Sequence, residues 1–138
     1  MNFLDAKIIS RDDSLYVDAA SFQLLVPAPK QPYLQDKVDR EVILGIRPEH
    51  IEDASFPDST ALTDSFQAVV EVVETLGSEI QLDVVTGEHG LVARVDARTK
   101  AKRHQEITLA VDMEKIHIFN TDPPNNRIET EDPNKARQ

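Results

Sequence analysis

The sequence predicts an all-β chain: a barrel or sandwich of short antiparallel strands joined by irregular loops. Apolar residues alternate with period two in nine separate short runs. Proline, glycine, aspartate and serine punctuate the gaps between them. No stretch carries an apolar stripe of helical spacing and useful length.

Residues 2–10 place Leu4, Ala6 and Ile8 on one face and stop at the polar turn Arg11-Asp12-Asp13-Ser14. Leu15-Tyr16-Val17 is a short return. Asp18-Ala19-Ala20-Ser21 turns again, and Phe22, Leu24 and Val26 form a third short strand. Pro27, Pro29 and Pro32 forbid regular pairing, so 27–40 reads as a loop. In 42–47, Val42, Leu44 and Ile46 share a face, and Gly45 opens the other face to a neighbouring backbone. Pro48 removes a donor and biases Arg47 towards an extended conformation. The strand therefore stops, the chain turns a corner, and Ile51 returns to the core.

Residues 52–65 lack periodicity and read as a surface excursion. In 66–74, Phe66, Ala68, Val70 and Val72 alternate with a second face that includes Val69 and Val73, which makes that face partly apolar. Leu76-Gly77-Ser78 is a turn, and Ile80, Leu82 and Val84 form the next strand. Residues 86–90 form a hairpin loop whose two glycines supply positive φ. Leu91, Ala93 and Val95 return. Residues 97–105 are a polar basic connection, Ile107, Leu109 and Val111 form a strand, 112–115 turns, and 115–119 is the last strand. Leu44 to Ile51 lines up with Leu109 to Ile116: apolar strand, charged residue, turn, glutamate, cation, isoleucine. Two similar barrel corners are the expectation. Residues 121–138 are polar and proline-containing, with Ile128 the only large apolar side chain, and read as a disordered tail behind a single domain spanning 1–120.

The chain's 138 residues suit one domain. Such a chain buries about two-thirds of its unfolded surface, enough for a core without staples. It has no cysteine, hence no disulfide framework and no thiol chemistry. Its formal net charge of −10 argues against general nucleic-acid binding and against direct adsorption to anionic lipid. No apolar run approaches the roughly 20 residues of a spanning helix, and the N-terminus lacks a signal-peptide pattern.

The candidate chemistry is sparse. Arg47, Glu49 and His50 could form a catalytic cluster, but the ordinary reading is a structural corner, with Arg47 pairing a carboxylate and Glu49 accepting turn amides. His50, His89, His104 and His117 are dispersed and lack metal-ligand spacing, so no metal site is expected. His117 sits between Ile116 and Ile118 and suits a surface or an interface. Glu71, Glu74 and Glu79 flank one turn and read as solvated charge, since nothing marks a cleft. Arg94, Arg98, Lys100, Lys102 and Arg103 are the one basic concentration: a solvated connection, or a patch for an acidic partner or nucleic acid. No aromatic is interleaved for base stacking. There is no Gly-x-x-x-x-Gly-Lys-Ser/Thr, so the chain has no recognisable way to cradle ATP phosphates; no catalytic residue and no bound cofactor is expected in it.

Ile46-Arg47-Pro48-Glu49-His50 resembles a signature in the C-terminal regulatory, transport-associated domain of sugar-importer ABC ATPase subunits of the maltose and glycerol-phosphate type. Val72 to Glu79, Ala93-Arg94-Val95 and Val111 to Phe119 match further pieces in order, and Met1-Asn2-Phe3-Leu4 resembles the handover from the ATPase domain. The resemblance covers nearly all of 1–120. It implies an oligonucleotide-binding-type, transport-associated β-barrel serving as a non-catalytic regulatory and dimerisation domain. Arg47, Pro48, Glu49, His50, Gly77 and Glu79 take structural or regulatory roles. The resemblance also implies that the chain is the C-terminal piece of a longer protein, with ATP and magnesium bound by an upstream domain. The implied partners are a second copy of the same domain, the ATPase domain of the same chain, and a regulatory protein. Membrane contact is indirect, through permease subunits at the inner face of the plasma membrane, in a cytoplasmic setting. Val69, Val73 and Phe119 are the candidate interface. A free-standing barrel for a small oxyanion or sugar is the alternative; the acidity of the chain and the lack of a glycine-rich nest weigh against it.

Overall fold

The computed structural model describes residues 1–56 and 63–130. Ten strands follow in order: β1 (Asn2–Arg11), β2 (Ser14–Asp18), β3 (Gln23–Leu25), β4 (Glu41–Ile46), β5 (Ile51–Asp53), β6 (Thr63–Leu76), β7 (Glu79–Thr86), β8 (His89–Asp96), β9 (Glu106–Asp112) and β10 (His117–Asn120). They form two five-stranded sheets, ordered β10-β4-β1-β2-β3 and β5-β9-β6-β7-β8, with antiparallel pairing throughout. The all-β expectation holds.

The two sheets are copies of one plan. β1, β2, β3 and β4 correspond to β6, β7, β8 and β9, and each sheet is completed by the short strand that follows its partner's last long one. After β4 the chain crosses over and β5 pairs with β9; after β9 it crosses back and β10 pairs with β4. The crossings turn alike. The His50 N–H donates to the Arg47 carbonyl at 2.9 Å, and the Lys115 N–H donates to the Asp112 carbonyl at 3.1 Å. These are equivalent positions in the eight-residue echo, so the echo marks two barrel corners.

The repeat runs through the core. Ile8 stands opposite Val17, which stands opposite Leu24; Val70 stands opposite Val84, which stands opposite Leu91. All six are buried, together with Leu4, Ala6, Phe66 and Ala68 on the same inward faces. Burying one such aliphatic side chain contributes about 1.5–3 kcal/mol, which is why period-two alternation fixes register here. The stacked rings of Phe22 and Phe66, 4.3 Å apart, join the two sheets.

Polar ties close the seams reciprocally. The Asn2 side chain donates to the carbonyls of Ile46 (3.1 Å) and Val92 (2.8 Å) and accepts from the Val92 N–H (2.8 Å). Its counterpart Asp64 accepts from the Leu25 N–H at 2.7 Å. The first strand of each half thus ties the edge strand of the other.

Several expectations need correction. Ile51–Asp53 is a strand of its own, too short to show a period, and it pairs with β9. The 27–40 segment contains 3-10 turns at Ala28–Tyr33 and Gln35–Lys37, as its prolines permit. Of the two glycines in the β7–β8 hairpin only Gly87 has positive φ (+58°); the turn is just Gly87-Glu88, and Gly90 pairs with Val85 inside the ladder. Residues 121–130, expected to begin a polar tail, fold back: the Ile128 N–H donates to the Ile118 carbonyl at 2.7 Å, Arg127 bridges Phe119, and Ile128 packs against the core. One large apolar residue beside an open strand edge is enough to pin a short return. The rest of that tail and most of the 52–65 excursion lie outside the described residues.

Candidate functional site

The corner at Pro48–His50 is the place where the motif residues meet the rest of the molecule. Arg47 is extended (φ −73°, ψ 144°), as its following proline requires, and Pro48–His50 makes one 3-10 turn. The turn sends successive side chains to opposite sides.

On one side lies an open groove of about 320 Å³ that Glu49, Ser78, Glu79 and Arg94 line. The β6–β7 turn delivers Ser78 and Glu79 because Gly77 adopts φ +70°, with open space where a Cβ would stand. Three motif segments far apart in sequence therefore converge. The Glu49 carboxyl is held below its usual value, first by its own backbone amide and then, against the opposing effect of burial, by His50, Arg47 and Arg94. At the rim, Arg98 pairs with Asp96 at 3.0 Å and lies 4.8 Å from the centre of the Phe56 ring. The basic stretch is thus divided: Arg94 faces the motif carboxylates and Arg98 is occupied by its own neighbour.

Arg47 is exposed, and among the described residues it has no carboxylate at ion-pair distance, contrary to the expected pairing. It acts on Glu49 through space. The adjacent Asp53 is buried: its Oδ2 accepts from the Thr99 hydroxyl at 2.6 Å and its Oδ1 from the Ser55 N–H at 2.9 Å, a structural tie between β5 and the 97–105 connection.

On the other side of the corner, His50 enters a second cleft with Lys115, His117 and Arg127, and the Nδ1 of His50 is buried with no hydrogen-bond partner. His117 is pushed below its ordinary value by burial first, then by Arg127, Arg47, His50 and Lys30. Sequence reasoning missed this cleft, because its lining comes from four segments that share no local pattern.

The candidate interface residues do not lie on one face. A β-bulge between Val70 and Val72 shifts the register, so Val69 pairs with Val85 on the outer face while Val73 pairs with Leu82 on the core-side face. Period-two counting puts both on one side, and the extra residue undoes it. Phe119 belongs to the other sheet, its ring centre 5.8 Å from that of Phe3. Beyond the bulge the β6–β7 ribbon leaves the core and exposes Val72, Val73 and Leu76, each about two-fifths accessible.

Among the described residues no group of three or more acidic or histidine side chains is placed to hold a metal ion, and no helix is long and apolar enough to cross a membrane.

Comparison with known proteins agrees with this architecture. Residues 1–51 match the family described as MalK OB fold domain, and residues 44–119 match the TOBE domain. The chain is 36% identical over 124 residues to the oligosaccharides import ATP-binding protein MsmX of Bacillus subtilis, an alignment covering 88% of this chain and 33% of that protein. It is 38% identical over 122 residues to the trehalose/maltose import ATP-binding protein MalK of Thermococcus litoralis, covering 86% of this chain and 32% of that one. The chain thus spans about a third of the length of the curated relatives it matches. In fold it is similar to the cytoplasmic molybdate-binding protein ModG, with a TM-score of 0.57 at 12% identity, over 85% of this chain and 94% of that one.

Proposed function

The chain belongs to the TOBE domain family, and from that membership we propose that it serves as the non-catalytic regulatory and dimerisation domain of the ATP-binding subunit of an importer for sugars or related solutes. The observation that carries this reading is the length of the match: nearly the whole chain aligns with one third of two import ATP-binding proteins. On this reading ATP and magnesium are bound elsewhere in the parent polypeptide. The subunit works at the inner face of the plasma membrane, joined to it through permease subunits.

The physical role is tethering. A lasting contact between two such domains keeps two motor domains at high effective concentration while their nucleotide sites open and close. The exposed β6–β7 ribbon offers apolar surface for that contact, with Val72 and Leu76 beyond the bulge and Val69 at its base. The Glu49–Glu79–Arg94 groove lies beside the root of the ribbon and suits a regulatory protein's polar contacts.

Sedimentation equilibrium of the 138-residue chain tests the tether. A dimer with Kd below about 100 μM is expected, and a charge inserted by Val72→Asp should weaken it at least tenfold. A wild-type chain monomeric throughout that range, or a Val72→Asp dimer of unchanged affinity, would reject the ribbon as the contact.

A further inference from the structure

The first sheet does not stop at β10. Residues 121–125 turn, and 126–128 run back antiparallel along its outer edge. The Ile128 N–H donates to the Ile118 carbonyl at 2.7 Å, the Asn120 N–H donates to the Asn126 carbonyl at 3.0 Å, and Arg127 stands opposite Phe119. Asn125 fastens the turn: its N–H donates to the Asp122 carbonyl at 2.8 Å, and its side-chain amide donates to the carbonyls of Asn120 and Thr121, both at 2.9 Å. Residues 121–127 are all exposed, and Ile128 is the side chain that packs the return against the core. A segment held by a few edge bonds and one apolar plug opens at far lower cost than the barrel beneath it. We propose that the 121–130 return is a proton-released strap: it lies closed over the β10 edge while His117 is neutral, and protonation of His117 lets it go.

Three observations carry this assignment. The first is the latch. Arg127 Nη1 lies 3.4 Å from His117 Nδ1. A guanidinium has donors and no acceptor, so the contact uses the Nδ1 lone pair. A proton on Nδ1 removes that lone pair and sets two donors of like charge against each other.

The second is the company His117 keeps. The return brings Arg127 and Glu129 to it, the 3-10 turn at Ala28–Tyr33 brings Lys30, the first corner brings Arg47 and His50, and the second corner brings Glu114 and Lys115. Of the two carboxylates, Glu129 is turned to Arg127 at 3.8 Å. Burial first, then Arg127, Arg47, His50 and Lys30, holds the imidazole below its ordinary 6.5. No carboxylate offsets them.

The third is where those influences sit. Arg127 is part of the return, so opening carries away the foremost of the charges and lets water reach the ring. Arg47, His50 and Lys30 stay behind. The open form therefore binds the proton more tightly than the closed one, and acid favours it. Closure is complete above pH 6.5 and weakens as pH falls through that value towards the closed-state one. Release leaves β10 with an unpaired outer edge at the end of the sheet, a surface on which another strand can pair.

Amide hydrogen exchange of the full chain, read by NMR and corrected for the intrinsic pH dependence of exchange, tests the strap. From about pH 7.5 to about pH 5.5 the protection of the Ile128 and Asn120 amides should fall about fivefold, within the limit of about tenfold per pH unit set by one linked proton. The β1 amides at the centre of the same sheet should keep theirs. His117→Asn retains an acceptor for Arg127 but takes up no proton, so its strap should be equally protected at both pH values. Ile128→Ala should lower Asn120 protection at both, which establishes that this amide reports the strap. Equal wild-type protection at the two pH values, or a fall that persists in His117→Asn, would overturn the proposal. So would an Ile128→Ala chain that protects Asn120 as well as the wild type does.

Discussion

Replacing Asn2 and Asp64 separately measures what the reciprocal ties contribute. Each occupies the equivalent position in its half, but Asn2 is 9% exposed and makes three side-chain hydrogen bonds, whereas Asp64 is partly exposed and makes one bond across the seam. A hydrogen bond contributes about 0.5–1.5 kcal/mol net, and a buried group left unpaired costs about 1–3. Asn2→Ala removes all three bonds and strands the Val92 amide and carbonyl, so the expected loss is about 2–4 kcal/mol. Asp64→Ala removes that solvent-screened bond and a local one from the Ser65 N–H, and should cost about 1 kcal/mol. Asn2→Asp sharpens the test. It keeps the acceptor for the Val92 N–H but sets a carboxylate oxygen against the carbonyls of Ile46 and Val92, so it should be no better than alanine. Urea unfolding followed by far-UV circular dichroism at fixed protein concentration reads all three, the chain having no tryptophan to report by fluorescence. Losses for Asn2→Ala and Asp64→Ala agreeing within about 0.5 kcal/mol would refute the claim that burial and bond count set the difference. So would a wild-type-like Asn2→Asp.

The β7–β8 turn and His117 give two further expectations. Gly87→Ala should destabilise by about 1–2 kcal/mol from its left-handed backbone alone, and by more because the new Cβ would stand 2.7 Å from Ser21 Cβ. Gly90→Ala, with open space and an ordinary φ, should be close to neutral, and equal unfolding midpoints for the two would disprove the turn assignment. His117 has a folded-state value below its ordinary 6.5, chiefly through burial, so the unfolded chain binds its proton more readily. Stability should therefore be unaffected by this group above the ordinary value and fall as pH drops through it towards the folded-state value. His117→Asn should flatten the stability profile between about pH 7.5 and pH 5, and an unchanged slope would contradict the reading.

Period-two alternation made most of the strands legible, because one face of each is buried in a common core and the other is not. β5 was not legible: Ile51-Glu52-Asp53 is too short to show a period and its partner, β9, lies over fifty residues away. The bulge in β6 was hidden for the opposite reason. Val69, Val72 and Val73 alternate acceptably with or without an extra residue, so only the register to β7 reveals that Val69 and Val73 face opposite ways. The groove was half legible: Glu49, Ser78, Glu79 and Arg94 all fall in quoted motifs, but no local pattern shows that the three segments converge. The cleft on the His50 side of the corner was illegible. Lys30 reads as one more polar loop residue, and Arg127 lies in what composition alone marks as a tail.

The exchange of short strands explains why the two corners carry charged motif residues. Neither half is closed without the other: β4 lacks an outer neighbour until β10 arrives, and β9 lacks one until β5 does. The chain must cross between halves twice, and each crossing leaves the sheet at a turn where backbone groups point outward and polar side chains are free to diverge. At the first crossing Glu49 and His50 point to opposite sides, one to the Arg94 groove and one to the cleft lined by Lys115, His117 and Arg127. At the second, Lys115 reaches the same cleft as its counterpart His50.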